Sequence, residues 1–238
     1  MKTIGLLGGM SWESSILYEQ LINEGVRDRL GGSHSADLIV RSYDFAAIES
    51  LQERGDWAAA GELLARDAAY LERGGAELVL LCTNTMHVVA EAIEAALDTA
   101  TFVHLADATA AAVRASGIAK VALLGTRYTM EHGFYRDRLE RHGLEVVVPD
   151  GPGRTVVHDT IYRELVRGVV SPASRAACLE VIAALVDDGA QGVIAGCTEI
   201  ELLVGPDDVD VAYFPTTRLH AAVAVDLALA PQPGAVGP

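Results

Sequence analysis

The sequence predicts an α/β protein with two pseudo-symmetric, doubly wound domains, each built on a parallel sheet. Short runs rich in Leu and β-branched residues alternate with longer stretches of helical period. Glycine pairs close the helical stretches. The chain also resembles itself: "IGLLGG" (Ile4 to Gly9) is matched by "VALLGT" (Val121 to Thr126), and "GGAELVLLCTN" (Gly74 to Asn84) by "DGAQGVIAGCTE" (Asp188 to Glu199) with one residue inserted.

Taken in order, the expected strands are Thr3 to Leu7, Ala36 to Ser42, Glu77 to Leu81, Thr101 to Leu105, Lys120 to Leu124, Leu144 to Val148, Gly192 to Ala195 and Val211 to Phe214. Tyr18, Leu21, Ile22, Gly25, Val26 and Leu30 recur at helical spacing between the first two, and Gly31-Gly32 ends that helix. A second helix, Trp57 to Arg73, ends at Gly74-Gly75. Strands joined by helices pair in parallel. The last helix, Thr217 to Ala230, is expected to return to the first half, and the tail "PQPGAVGP" to be frayed. The division is therefore 1–105 plus 214–238 for the first domain and 106–213 for the second.

Composition narrows the function. The 238 residues are 50% hydrophobic, which excludes a disordered chain, and suffice for one large or two small cores. A net charge of -15 and a pI near 4.8 oppose binding to nucleic acid or anionic membranes. The three cysteines, Cys82, Cys178 and Cys197, are widely spaced with no CxxC, which argues for a reducing compartment and against a disulfide framework or a zinc site. The opening "MKTIGLLGGMSWESS" has a signal-like apolar run, but Gly8 and Gly9 interrupt it and Glu13 follows. No run is apolar for long enough to span a bilayer. The expectation is a soluble cytoplasmic protein.

Two cysteines stand at equivalent places. From Gly8 to Cys82 is 74 positions and from Gly125 to Cys197 is 72, so each thiol closes the same strand of its copy. Ligands of open α/β sheets sit at the carboxyl ends of the strands. A pseudo-twofold relation of the halves would bring Cys82 and Cys197 to one cleft between the domains. A thiol on each wall can take a proton from one face of a carbon and return one to the other face, which inverts a stereocentre. Such a base must be a thiolate, and a strand-to-helix turn offers the field of helix-start N–H groups to lower the thiol's pKa. Those N–H groups can also hold a substrate carboxylate.

The neighbours fit a ligand site. Thr83, Asn84 and Thr85 can cap the next helix or touch the ligand, and Thr198 and Glu199 follow the second cysteine, where a carboxylate suits a substrate ammonium. In "LGGM" (Leu7 to Met10), Gly8 and Gly9 allow close approach of backbone to ligand, and Ser11 is an N-cap. The glycines read G-x-x-G-G rather than G-x-G-x-x-G, with no Gly-Lys-Ser/Thr, so no phosphate cradle is expected.

"KTIGLLGGMSWESS", "LCTNTMH", "ALLGTRYTME" and "GCTEIELL" together resemble the aspartate/glutamate racemase family, in particular its bacterial broad-specificity amino-acid racemases. The resemblance runs from Met1 to about Ala230. It implies catalysis without pyridoxal phosphate, metal or other cofactor, two cysteines alternating as proton donor and acceptor, and a homodimer. Matched motif by motif, it makes Cys82 and Cys197 the catalytic pair. Met10, Gln52, Thr83, Asn84, Thr85, Thr198 and Glu199 become substrate contacts. Aspartate-specific relatives hold the distal carboxylate with basic residues; here Arg54, His158 and Arg163 lie near the expected segments with no firm match. The expected function is a broad amino-acid racemase. A strict aspartate racemase and a non-catalytic amino-acid binder on the same fold are its alternatives. Hydantoin racemases, maleate isomerases and arylmalonate decarboxylases differ at the first loop and after the cysteine, and a dithiol redox protein would bring its cysteines close in sequence.

Other residues have plainer expectations. Cys178 shares an apolar helix face with Val181, Ile182 and Leu185 and reads as core. His87 reads as a helix-surface or supporting residue rather than a metal ligand, and His104 as a structural histidine. Trp12 and Trp57 read as packing anchors, and Glu13 as a partner for a helix dipole.

Overall fold

The computed structural model describes residues 1–231; the expected fraying beyond Pro231 lies outside the described residues. The chain divides into two compact units. The first holds Met1–Cys82, Glu91–Val103 and the chain from Ala221 on; the second holds Thr83–Ala90 and His104–His220. This differs from the sequence division at three points. The chain crosses already after Cys82, returns for Glu91–Val103, and stays in the second unit through its last strand to His220.

In the first unit the order is β1 (Ile4–Gly8), α1 (Trp12–Leu30), β2 (Leu38–Ser42), α2 (Phe45–Arg54), α3 (Trp57–Arg73), β3 (Leu78–Leu81), α4 (Ala90–Ala95) and β4 (Thr101–Val103). The strands pair in parallel in the order β2-β1-β3-β4. Central β1 and β3 are buried along their whole length, which is why they read as unbroken apolar runs. Ser11 caps α1, its hydroxyl accepting from the Ser14 N–H at 3.3 Å, and Gly31 ends the helix at φ 74°. Tyr18, Ile22 and Val26, four residues apart, form its buried stripe. On α3 the stripe is Ala60, Leu64, Ala68 and Leu71.

The second unit repeats the plan with α5 (Leu105–Ala115), β5 (Lys120–Gly125), α6 (Arg127–Glu131), α7 (Gly133–Arg141), β6 (Glu145–Val147), α8 (Gly151–Asp159), α9 (Pro172–Asp187), β7 (Gly192–Gly196), α10 (Ile200–Leu203) and β8 (Ala212–Pro215). Its sheet is parallel in the order β6-β5-β7-β8, the same topology as the first. Cys178 packs with Ile182, Leu185, Val193 and Ala195 in one core cluster, as expected for a structural cysteine. The last helix, α11 (Thr216–Leu229), begins in the second unit. From Ala221 on it packs with the first: Ala221, Ala224, Val225 and Ala228 share a cluster with Ile4, Tyr18, Ile22 and Val26. A Cβ on Gly25 of α1 would stand 3.1 Å from Val225, so glycine lets the two helices approach.

Trp12 is not the anchor expected, being 61% exposed at the start of α1, whereas Trp57 is half-buried. Among the described residues no helix is long and apolar enough to cross a membrane.

Candidate active site

In each sheet the chain leaves a central strand to one side, comes back and continues to the other. The loops after the two central strands therefore splay apart at their carboxyl ends, the place where open α/β sheets take ligands. In the first unit those loops carry Gly9-Met10 after β1 and Cys82 after β3; in the second they carry Thr126-Arg127 after β5 and Cys197 after β7. Each cysteine thus stands at the switch point of its own sheet.

Cys82 is fully buried, and its N–H donates to Leu7 O at 2.9 Å, continuing the ladder one step past β3. Met10 is buried on the loop after β1, and Gln52 is buried on α2, the helix that follows edge strand β2. The glycines of this loop also have a cause within the fold itself. A Cβ on Gly8 would meet the Ser15 hydroxyl, and Gly9, at φ +83°, lies against the backbone of Tyr43. The Gly9 N–H donates to Ser15 Oγ at 2.6 Å.

Thr83, Asn84 and Thr85 are fixed within the second unit. His87 Nδ1 bonds to the Thr83 carbonyl at 2.7 Å while its Nε2 accepts from the Leu105 N–H at 3.3 Å. A carbonyl can only accept, so His87 is the neutral Nδ1–H tautomer. It is buried, not on a helix surface, and burial with the nearby His104 and His220 pushes its pKa far down. Asn84 makes no cap bond; its Nδ2 donates to Thr216 Oγ1 at 3.1 Å, and Thr216 Oγ1 donates to Ala195 O at 2.8 Å. Thr85 and Thr126 share a hydroxyl–hydroxyl bond of 2.9 Å. The sequence pointed to the loop and offered His87 as a supporting residue, but did not reveal Thr126 and Thr216 as its other anchors. Only the polar character of Thr126 and Thr216, each at a strand end, hinted at them.

At the second cysteine, Cys197 Sγ donates to Glu199 Oε2 at 2.8 Å, with Thr198 and Glu199 buried beside it. Glu201 follows on α10, its carboxyl largely buried and pushed up to about 7 by burial, against the pull of Arg218 at 3.4 Å.

The expected lowering of the thiols is reversed. Burial, then Glu19, pushes Cys82 up; burial, then Glu199, pushes Cys197 up. The N–H groups of Glu199 and Ile200 do act on Cys197 in the expected sense and are outweighed. The helical pieces that follow are short, a 3-10 turn at Thr85–Val89 and the four-residue α10, so few peptide dipoles add up. Both groups are therefore thiols in this structure.

The three candidate cations are accounted for. Arg54 is exposed and bonds to Ser50, and Arg163, with a 75% exposed side chain, pairs with Asp159 at 3.4 Å. His158 Nδ1 accepts from the Arg127 N–H at 3.2 Å, and burial lowers its pKa, with Arg127 adding to the effect. His104 caps α5, accepting from the Ala106 N–H at 3.1 Å, as expected of a structural histidine. Among the described residues no group of three or more His, Cys, Asp or Glu is placed to hold a metal.

This pair of like sheets is a known architecture. The family model for Asp/Glu/hydantoin racemases matches residues 7–224, and the chain belongs to that family. A Yersinia pestis structure described as a "putative Asp/Glu racemase" is 53% identical over 96% of this chain and all of its own, with a TM-score of 0.91. An aspartate racemase homologue from Pyrococcus horikoshii is 33% identical over 96% of this chain and 99% of its own, with a TM-score of 0.83. A glutamate racemase from Francisella tularensis, solved with D-glutamate, shares the fold at 15% identity and a TM-score of 0.67, covering 95% of this chain and 80% of its own.

Proposed function

We propose that the protein is an amino-acid racemase of broad substrate range that works without pyridoxal phosphate, metal or other cofactor and uses Cys82 and Cys197 as its two bases. One observation carries the reading: in two sheets of identical topology, each thiol follows the equivalent central strand at the switch point.

The chemistry asks the two sulfurs to reach opposite faces of one α-carbon. One, as thiolate, takes the α-proton; the electron pair passes into the carboxylate as an enediolate; the other, as thiol, returns a proton from the far side. The product is the opposite enantiomer, and the charge on sulfur has changed sides. High thiol pKa values suit this step. A thiolate formed against burial is a stronger base, and the α-hydrogen is a very weak acid. The cost is a small thiolate population until the substrate ammonium brings a positive charge. Glu199 holds the proton of Cys197 and favours Cys197 as the donor in the resting protein. Met10, Gln52, Thr83, Asn84, Thr85, Thr198 and Glu199 are the proposed substrate contacts.

The buried Gln52 and the engagement of Arg54, Arg163 and His158 elsewhere favour substrates with uncharged side chains over aspartate. The reading needs reduced thiols, hence a reducing compartment such as the cytoplasm, and expects a homodimer. All three cysteines are free.

The test is proton NMR in heavy water with reduced protein, no added cofactor and a panel of L-amino acids. Deuterium appearing first in the D-enantiomer supports two-base racemisation, and the ranking of Asp and Glu against neutral members gives the substrate class. Absence of exchange with every member sinks the assignment.

A further inference from the structure

Asn84 is held in an unusual way. Its Nδ2 donates to Thr216 Oγ1 at 3.1 Å, and that hydroxyl spends its own proton on the Ala195 carbonyl at 2.8 Å. A threonine hydroxyl has one proton, so toward Asn84 it is an acceptor only. This fixes the carboxamide: Nδ2 faces Thr216, and Oδ1 faces away. Asn84 Oδ1 is buried with no hydrogen-bond partner, a state that costs a folded protein unless a ligand supplies the donor.

The arrangement follows from the end of β8. Pro215 pairs with Ala195 there, and the hydroxyl of the next residue, Thr216, reaches the Ala195 carbonyl. Ala195 lies two residues before Cys197 and Asn84 two residues after Cys82. A single side chain, itself fully buried, therefore ties Asn84 to the end of β7 within the second unit. Two further buried oxygens have no partner: Thr217 Oγ1, next in the chain, and Glu201 Oε1 on α10, whose carboxyl accepts the Thr217 N–H and pairs with Arg218 at 3.4 Å. A carboxamide oxygen can only accept, so the bare Asn84 Oδ1 suits a cationic N–H donor.

We propose that Thr216 is a positioning residue that locks the Asn84 carboxamide with Oδ1 presented as the acceptor for the substrate's α-ammonium. The inference rests on the racemase reading above. It assigns the donor class recognised here: a protonated primary amine, so that N-acylated amino acids are excluded. Thr216→Val keeps the shape and removes both hydrogen-bonding roles; Thr216→Ser keeps them.

The experiment measures kcat and KM for racemisation of the best amino acid, together with thermal stability, in the wild type, Thr216→Val, Thr216→Ser, Asn84→Ala and the Asn84→Ala/Thr216→Val pair. Thr216→Val is expected to raise KM about tenfold, the worth of one hydrogen bond to a charged group. Thr216→Ser restores it, and Thr216→Val adds nothing in the Asn84→Ala background. An active wild type with a normal KM in Thr216→Val, or with effects that multiply in the double variant, overturns this inference alone. A wild type that racemises no amino acid overturns the racemase reading as well.

Discussion

Cys197 Sγ donates its proton to Glu199 Oε2 across 2.8 Å. The two residues are separated by one threonine, so the bond closes a tight local ring at the end of β7 and keeps the sulfur protonated. Glu199 raises the thiol after burial itself, while the Glu199 and Ile200 N–H groups pull the other way. Replacing the carboxylate by a neutral amide removes the repulsion and leaves the N–H groups in place. In Glu199→Gln, Cys197 is expected to be alkylated by iodoacetamide faster than in the wild type at about pH 8, with Cys178 unchanged. Peptide mass spectrometry of the labelled protein checks this. Racemisation is expected to fall by about tenfold or more, because the resting proton donor is lost. Slower labelling of Cys197 would show that Glu199 does not hold its proton.

The two thiols are expected to serve opposite enantiomers. Cys82→Ser and Cys197→Ser each remove one base, and a serine hydroxyl is far too weak an acid to replace it. Racemisation is expected to fall about 1,000-fold in each variant. Exchange of the α-hydrogen with heavy water should survive for one enantiomer in one variant and for the other enantiomer in the other. Variants that both lose exchange with the same enantiomer would point to a single base.

Much of this was legible because it rests on local pattern. All eight strands and the helices ending at Gly31 and Gly74 lie within about two residues of the positions the periodicity assigns. The duplication of Gly8 to Cys82 in Gly125 to Cys197 reappears as two sheets of one topology. What could not be read is what joins distant residues. No spacing relates Asn84 to Thr216 or Thr85 to Thr126, since a hydrogen bond across more than 40 or 130 positions has no period. The assignment of Thr83–Ala90 to the second unit is hidden for the same reason. The direction of the thiol shifts was missed because burial is a tertiary quantity, and it outweighs the helix-start N–H groups that sequence does reveal.

Gly9 is expected to tolerate no side chain. Its φ of +83° is a backbone conformation L-residues avoid, and a Cβ there would run into the backbone N and O of Tyr43. Gly55 also has positive φ, at +65°, but has open space around it. Gly55→Ala should cost only the left-handed penalty of about 1 kcal/mol. Gly9→Ala adds a backbone collision and should cost about 3 kcal/mol. For a chain of this size that is a fall in melting temperature of roughly 6–12 °C, against about 2–4 °C for Gly55→Ala. Equal melting temperatures for the two variants would mean that the loop after β1 shifts freely away from Tyr43.

His104 makes stability depend on pH. Its Nδ1 accepts from the Ala106 N–H, and burial, with Arg138, His220 and His142 nearby, lowers its pKa from 6.5 to about 3. Between those values the unfolded chain binds a proton that the native protein does not, so stability rises with pH and is lost as pH falls from 6.5 toward 3. One such group contributes a slope of about 1.4 kcal/mol per pH unit well inside the window. Asparagine is a good N-cap that does not titrate, so His104→Asn keeps the bond to Ala106 and removes the slope. Urea unfolding from about pH 4 to pH 7 is expected to show the variant near wild-type stability at neutral pH and flatter below it by about one proton. His87 remains in both proteins as a second buried neutral histidine, so the variant keeps part of the dependence. Identical slopes would mean that His104 is protonated in the native protein and that its cap on α5 comes from another group.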